Sequence, residues 1–97
     1  MLPSIMRKVL VLNSEDNIAV CLQDLEIGEV IGQDGLNLTI QHHIPRGHKV
    51  ATKKITIGAG IIKYGERMGH ATSNIEVGQH VHTHNVLGDR LSTEQTK

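Results

Sequence analysis

Aromatic side chains are nearly missing from this chain of 97 residues: Tyr64 is the only one, and there is neither Trp nor Phe. A surface that stacks on bases needs several aromatic faces, so single-stranded nucleic acid is a poor fit. Net charge is missing too, because ten basic residues are matched by ten acidic ones. Nothing then draws the chain electrostatically to nucleic acid or to an anionic membrane. The lone cysteine, Cys21, cannot form an internal disulfide. No apolar run approaches the ~20 residues of a spanning helix. The first dozen residues also lack an apolar stretch leading to small cleavage-site residues. The expected setting is cytoplasmic, with neither nucleic acid nor membrane as partner. A phosphate-cradling glycine loop, a serine nucleophile elbow and paired cysteines are absent as well, which argues against nucleotide, acyl-transfer and zinc-finger chemistry.

What remains describes one mainly β domain. The chain is long enough for one modest core and too short for a second domain, and at 38% hydrophobic and 21% charged residues it is too apolar for intrinsic disorder. Residues 1–97 are read as a single domain with its core over about 7–87 and a polar tail over 88–97. Val and Ile outnumber Leu and Ala, and their branched Cβ favours strands. Residues 7–12, 36–41 and 80–84 read as strands, the last two by alternation of apolar and polar positions. Residues 14–25 predict the one short helix, capped by Ser14 or Asp16, with Ile18, Cys21, Leu22 and Leu25 on one face. Ile18, Val20 and Leu22 also alternate at period two, so a strand competes with it. Cys21 is expected in the core.

A heptad, aliphatic-x-x-Gly-x-x-aliphatic, occurs four times: L-E-I-G-E-V-I from Leu25, I-P-R-G-H-K-V from Ile44, I-T-I-G-A-G-I from Ile55 and I-E-V-G-Q-H-V from Ile75. Its glycine suits a tight turn at positive φ, after which the chain re-enters a strand. Four such corners imply a compact, twisted β domain.

Seven histidines are the other excess. On a strand, His80, His82 and His84 would project from one face at about 6.6 Å intervals, close enough to converge on one ion. Imidazole suits Zn, Fe, Ni and Cu; the alternative is a solvated face. Arg46, His48, Lys49, Lys53 and Lys54 form a basic stretch that would attract a carboxylate, or simply face solvent. Lys63 and Tyr64 offer donors, and Tyr64 a proton-transfer group, unless Tyr64 is an ordinary half-buried aromatic. His42 and His43 precede a proline in a predicted loop and receive no role.

The strings I-P-R-G-H-K-V-A-T-K-K-I, I-I-K-Y-G-E-R-M-G-H-A-T and G-Q-H-V-H-T-H-N, preceded by E-D-N-I-A-V, lie in one order along residues 9–85. They resemble the SAF (antifreeze-like, β-clip) domain of the altronate and galactarate dehydratases, which is also similar to the small subunit of sulfolactate sulfo-lyase. The resemblance implies a β-clip fold and a lyase. Such an enzyme removes water, or sulfite in the sulfo-lyase branch, from a hydroxy acid by abstracting the proton α to the carboxylate. It implies a divalent metal, Fe(II) first and Mn(II) second, and a large catalytic subunit or domain to complete the enzyme. The family-like positions are Gly47, His48 and Lys49, then Lys63, Tyr64 and Gly65, then His80, His82, His84 and Asn85. From them we expect His80, His82 and His84 to be metal ligands, and His48, Lys49, Lys63 and Tyr64 to be catalytic. Arg46, Gly47, Gly65 and Asn85 are expected to bind substrate. Altronate and sulfolactate fit the H-V-H-T-H-N string better than galactarate does. SAF domains also serve as non-catalytic modules, a reading that predicts no metal dependence. Exposed strand edges in so small a domain make a homo-oligomer a further expectation.

Overall fold

The four heptads fold alike. In the computed structural model, which describes residues 7–89, the leading residues Leu25, Ile44, Ile55 and Ile75 are each at most 2% exposed. The glycines Gly28, Gly47, Gly58 and Gly78 take φ between 87° and 91°, where a Cβ would be strained. The closing residues Ile31, Val50, Ile61 and Val81 return to the core. Leu25 and Ile44 exchange both backbone hydrogen bonds, at 2.9 and 2.8 Å, and Ile55 and Ile75 do the same at 2.8 and 2.7 Å. The domain is thus two copies of one unit. Gly28 donates its N–H to Ile40 and Gly58 its N–H to Ala71, both at 2.8 Å.

The strands are β1 (Val9–Leu10), β2 (Ile18–Cys21), β3 (Val30–Gln33), β4 (Leu36–Thr39), β5 (Lys49–Ala51), β6 (Gly60–Lys63), β7 (Glu66–Ala71), β8 (His80–Val81) and β9 (Val86–Leu87). An antiparallel sheet in the order β1-β2-β5-β8 joins the two units, β3-β4 forms a hairpin, and β6-β7-β9 a second small sheet. Both hairpins turn on two residues at positive φ, Asp34-Gly35 (50° and 83°) and Tyr64-Gly65 (57° and 74°). This is the type I′ geometry that matches strand twist.

Alternation on the joining sheet divides the one expected core into two clusters. Ala19 and Val50 pack with Val9, Leu25, Ile31 and Ile44, whereas Ile18 and Ala51 pack with Ile55, Ile61, Ile75 and Val81. Each of these large aliphatics contributes roughly 1.5–3 kcal/mol by leaving water. One buried carboxylate links the units: Asp16, 2% exposed, accepts the N–H groups of Tyr64 at 3.1 Å and Gly65 at 2.8 Å.

The mainly β class holds, and two local expectations do not. No helix forms over 14–25. Residues 13–16 turn, with the Asp16 N–H on the Asn13 carbonyl at 3.0 Å, and Ile18–Cys21 is β2. Because β2 is buried on both faces, its continuous apolar run imitates the apolar face of a helix. The predicted strand over 80–84 stops at Val81, and residues 82–85 form a turn closed by the Asn85 N–H on the His82 carbonyl at 3.1 Å. The strands expected over 7–12 and 36–41 are present but shorter. Cys21 is in the core, where burial pushes its thiol up to about 12 and removes it as a nucleophile. Most of the tail, residues 90–97, lies outside the described residues.

Candidate metal centre

β5 and β8 pair so that Lys49 faces Val81 and Val50 faces His80. One more step along the register brings His48, at the heptad turn, beside His82. The two rings stack with centroids 4.0 Å apart and planes 17° apart. His48 Nδ1 lies 2.8 Å from His80 Nε2, and one ligand atom from each of His48, His80 and His82 falls within 4.8 Å of the others. His84 tilts against His80 at 5.2 Å between centroids. Of the expected set His80, His82 and His84, the first two meet His48 from the turn before β5, and His84 stands beside His80.

The turn holding these rings is fixed by Asn85, which is 6% exposed. Its side-chain oxygen accepts the His82 N–H at 2.9 Å and its amide donates to the His80 carbonyl at 2.8 Å. Asn85 was expected to touch substrate; both ends of its side chain are engaged by the histidine turn. His42, given no role from sequence, receives the His80 N–H on Nδ1 at 3.3 Å. Nothing in linear spacing points to His42 or to His48 as partners of His80, because His48 comes from a different heptad and His42 from the segment before it.

Electrostatics favour neutral rings. Burial first, and then His48, His84, His82 and His42, push His80 down to about 4. His48 is lowered by burial, by His82 and by Lys49. Neutral imidazole is the form that binds metal. Two nitrogens 2.8 Å apart match adjacent ligands on one ion, whose bonds to nitrogen are about 2.0–2.1 Å. The donor set fits a divalent transition metal. All three ligands being nitrogen suits Fe, Zn, Ni or Cu better than Mg or Ca.

The remaining expected residues fall into two groups. Lys49 and Lys63 line one cleft of about 350 Å3 together with His82. Lys63 Nζ also sits 5.0 Å from the Tyr64 ring centroid. Tyr64 and Gly65 form the β6-β7 turn held by Asp16, and Tyr64 is 59% exposed. Gly47 is the heptad glycine preceding His48, and its N–H bonds the Cys21 carbonyl at 2.8 Å. Arg46 takes Asp24 on its backbone N–H at 2.8 Å, leaving an exposed side chain. The predicted basic stretch is divided: Lys53 lines a separate cleft, and Lys54 pairs with Glu76 at 3.8 Å. Among the described residues no helix is long and apolar enough to cross a membrane.

Comparison with known proteins identifies the family. The altronate/galactarate dehydratase SAF domain matches residues 7–89. Altronate dehydratase of Escherichia coli is 42% identical over 80 residues, 82% of this chain and 16% of that enzyme. That of Bacillus subtilis is 35% identical over 80 residues, with the same shares. The subunit alpha of (2R)-sulfolactate sulfo-lyase from Paracoccus pantotrophus is 52% identical over 48 residues, 50% of this chain and 72% of that subunit. The chain thus spans 16% of the altronate dehydratases it matches and most of the sulfo-lyase subunit. With the match running through all the described residues, the chain belongs to the altronate/galactarate dehydratase SAF domain family.

Proposed function

We propose that this chain is the small subunit or N-terminal domain of a metal-dependent hydro-lyase, altronate dehydratase-like, that acts in the cytoplasm on a sugar acid with a large catalytic partner. The observation that carries it is the meeting of His48, His80 and His82, with ligand atoms within 4.8 Å of one another. A divalent ion held there, Fe(II) or Mn(II), would supply Lewis-acid stabilisation of charge on the substrate oxygens. His80 is available to it near neutral pH because its proton is already lost. Asn85 keeps the two ligands of the β8 turn in place through their backbones. Abstraction of the α-proton and loss of the β-hydroxyl need an acid and a base outside this ligand set. Tyr64, which adjoins Lys63 of the cleft that also holds Lys49 and His82, and groups from the large partner are the candidates.

A second reading is the small subunit of a sulfolactate sulfo-lyase, which releases sulfite. It is favoured by the 72% share of the sulfo-lyase subunit alpha that this chain covers. The test is to purify the complex from its native host, measure its metal, and assay altronate dehydration and sulfite release from sulfolactate. Turnover of altronate, lost together with the metal in His82→Ala, supports the first reading; sulfite release supports the second. A complex inactive on both acids, or metal content unchanged by His82→Ala, overturns the proposal.

A further inference from the structure

A cleft lies beside each hairpin of the internal repeat, and only one of the two is electrically balanced. In the hairpins Gln33 and Lys63 correspond, each just before the two-residue turn. Thr52 and Thr83 correspond too, each two residues after the close of a heptad. The first cleft, about 330 Å3, carries Arg7 and Lys53 against Asp16 and Asp34, with Gln33 and Thr52 between them. Arg7 lies 2.9 Å from Asp34. Gln33 spends its amide on the Lys8 N–H at 2.8 Å and the Val9 carbonyl at 2.9 Å. Asp16 spends its oxygens on the Tyr64-Gly65 turn.

The second cleft, about 350 Å3, carries Lys49, Lys63, His82 and Thr83 over a floor that includes Ile61 and Val81. Among the described residues no carboxylate lines it, and neither lysine has an acidic partner. Lys49 and Lys63 thus bring two positive charges to one lining that offers them no counter-ion, and an anion from outside would complement them. The floor selects the kind of anion. Apolar side chains suit the C–H face of an organic acid, which an inorganic anion lacks, and the lysines supply point charges for its carboxylate. His82 belongs to both the cleft and the histidine cluster, so a ligand anchored here reaches the proposed metal.

We propose that Lys49 and Lys63 clamp the carboxylate of a small hydroxy acid in this cleft, directing its hydroxyl-bearing carbons towards His82 and its neighbours. The inference rests on the hydro-lyase reading for the identity of the acid.

The test is a nuclear magnetic resonance titration of the full chain, kept metal-free with chelator, using altronate and, as a neutral control, altritol. Altronate should shift the Met68 methyl and the lysine ε-methylene signals saturably; altritol should not. Lys49→Gln and Lys63→Gln should each weaken altronate by about tenfold, a loss of about 1.4 kcal/mol, and Lys54→Gln should not. The same spectra report whether each variant is folded. Equal affinity for altritol, no saturable shift, or affinity unchanged in both cleft variants would overturn the clamp. Because no metal is present, these results are separate from the metal loss in His82→Ala that tests the hydro-lyase reading.

Discussion

His48 Nδ1 and His80 Nε2, 2.8 Å apart, can share one proton but cannot both carry one. A histidine in the unfolded chain titrates near 6.5, whereas His80 in the folded protein is pushed down to about 4. Between those values the unfolded state binds more protons, so stability rises with pH across the window. The contribution is fully present above about pH 6.5 and is lost on acidification towards pH 4. His48 shifts in the same direction, and exposed His43, raised by Glu26, in the opposite one. The metal-free chain should lose about 1–3 kcal/mol between about pH 7 and pH 5. His80→Gln should remove most of that slope. Urea midpoints at the two pH values measure it, and an equal slope in both proteins would rule out His80 as its source.

Asn85 would support the proposed metal centre through the backbone alone. Its side chain bridges the His80 carbonyl and the His82 N–H, and groups that orient ligands typically contribute 10–100-fold in metal affinity. Asn85→Ala should therefore bind Mn(II) about 10–100-fold more weakly and lose about 1–3 kcal/mol from two orphaned backbone groups. Metal titration alongside urea unfolding separates the two effects. Wild-type affinity in a destabilised variant would mean that the turn holds its shape without the staple.

How far the sequence could be read follows from the range of each signal. The heptads are local, so the buried positions of Leu25, Ile44, Ile55 and Ile75 and the turns at their glycines could be seen in advance. At β2 the sequence leaves helix and strand in competition, because Ile18, Ala19 and Cys21 are buried on both faces and leave no polar side to decide the period. Among the histidines, alternation pointed to His80, His82 and His84, yet the arrangement is made by β5-β8 pairing, which brings in His48 from across the sheet. The seating of Asp16 under the Tyr64-Gly65 turn is equally nonlocal. An aspartate in an S-E-D-N run reads as a helix cap or a turn residue until the second hairpin is laid against it.

Gly28 and Gly78 hold the same place in the first and last heptads, with φ of 91° and 89°, yet they should respond very differently to a methyl group. A Cβ on Gly28 would have nothing within 4 Å, so Gly28→Ala should cost only the positive-φ strain, about 1–2 kcal/mol. A Cβ on Gly78 would strike the Thr39 carbonyl oxygen. That backbone cannot retreat easily: the Gly78 carbonyl accepts the Gln41 N–H at 2.9 Å, and the Gly78 N–H reaches Ala51 at 2.9 Å. Relief requires breaking the seam between the two units, so Gly78→Ala should cost more than about 4 kcal/mol, in the range of severe core disruptions. Thermal unfolding of the two variants decides it. Similar losses would mean that the clash at Thr39 relaxes freely and that strain at positive φ alone sets the cost.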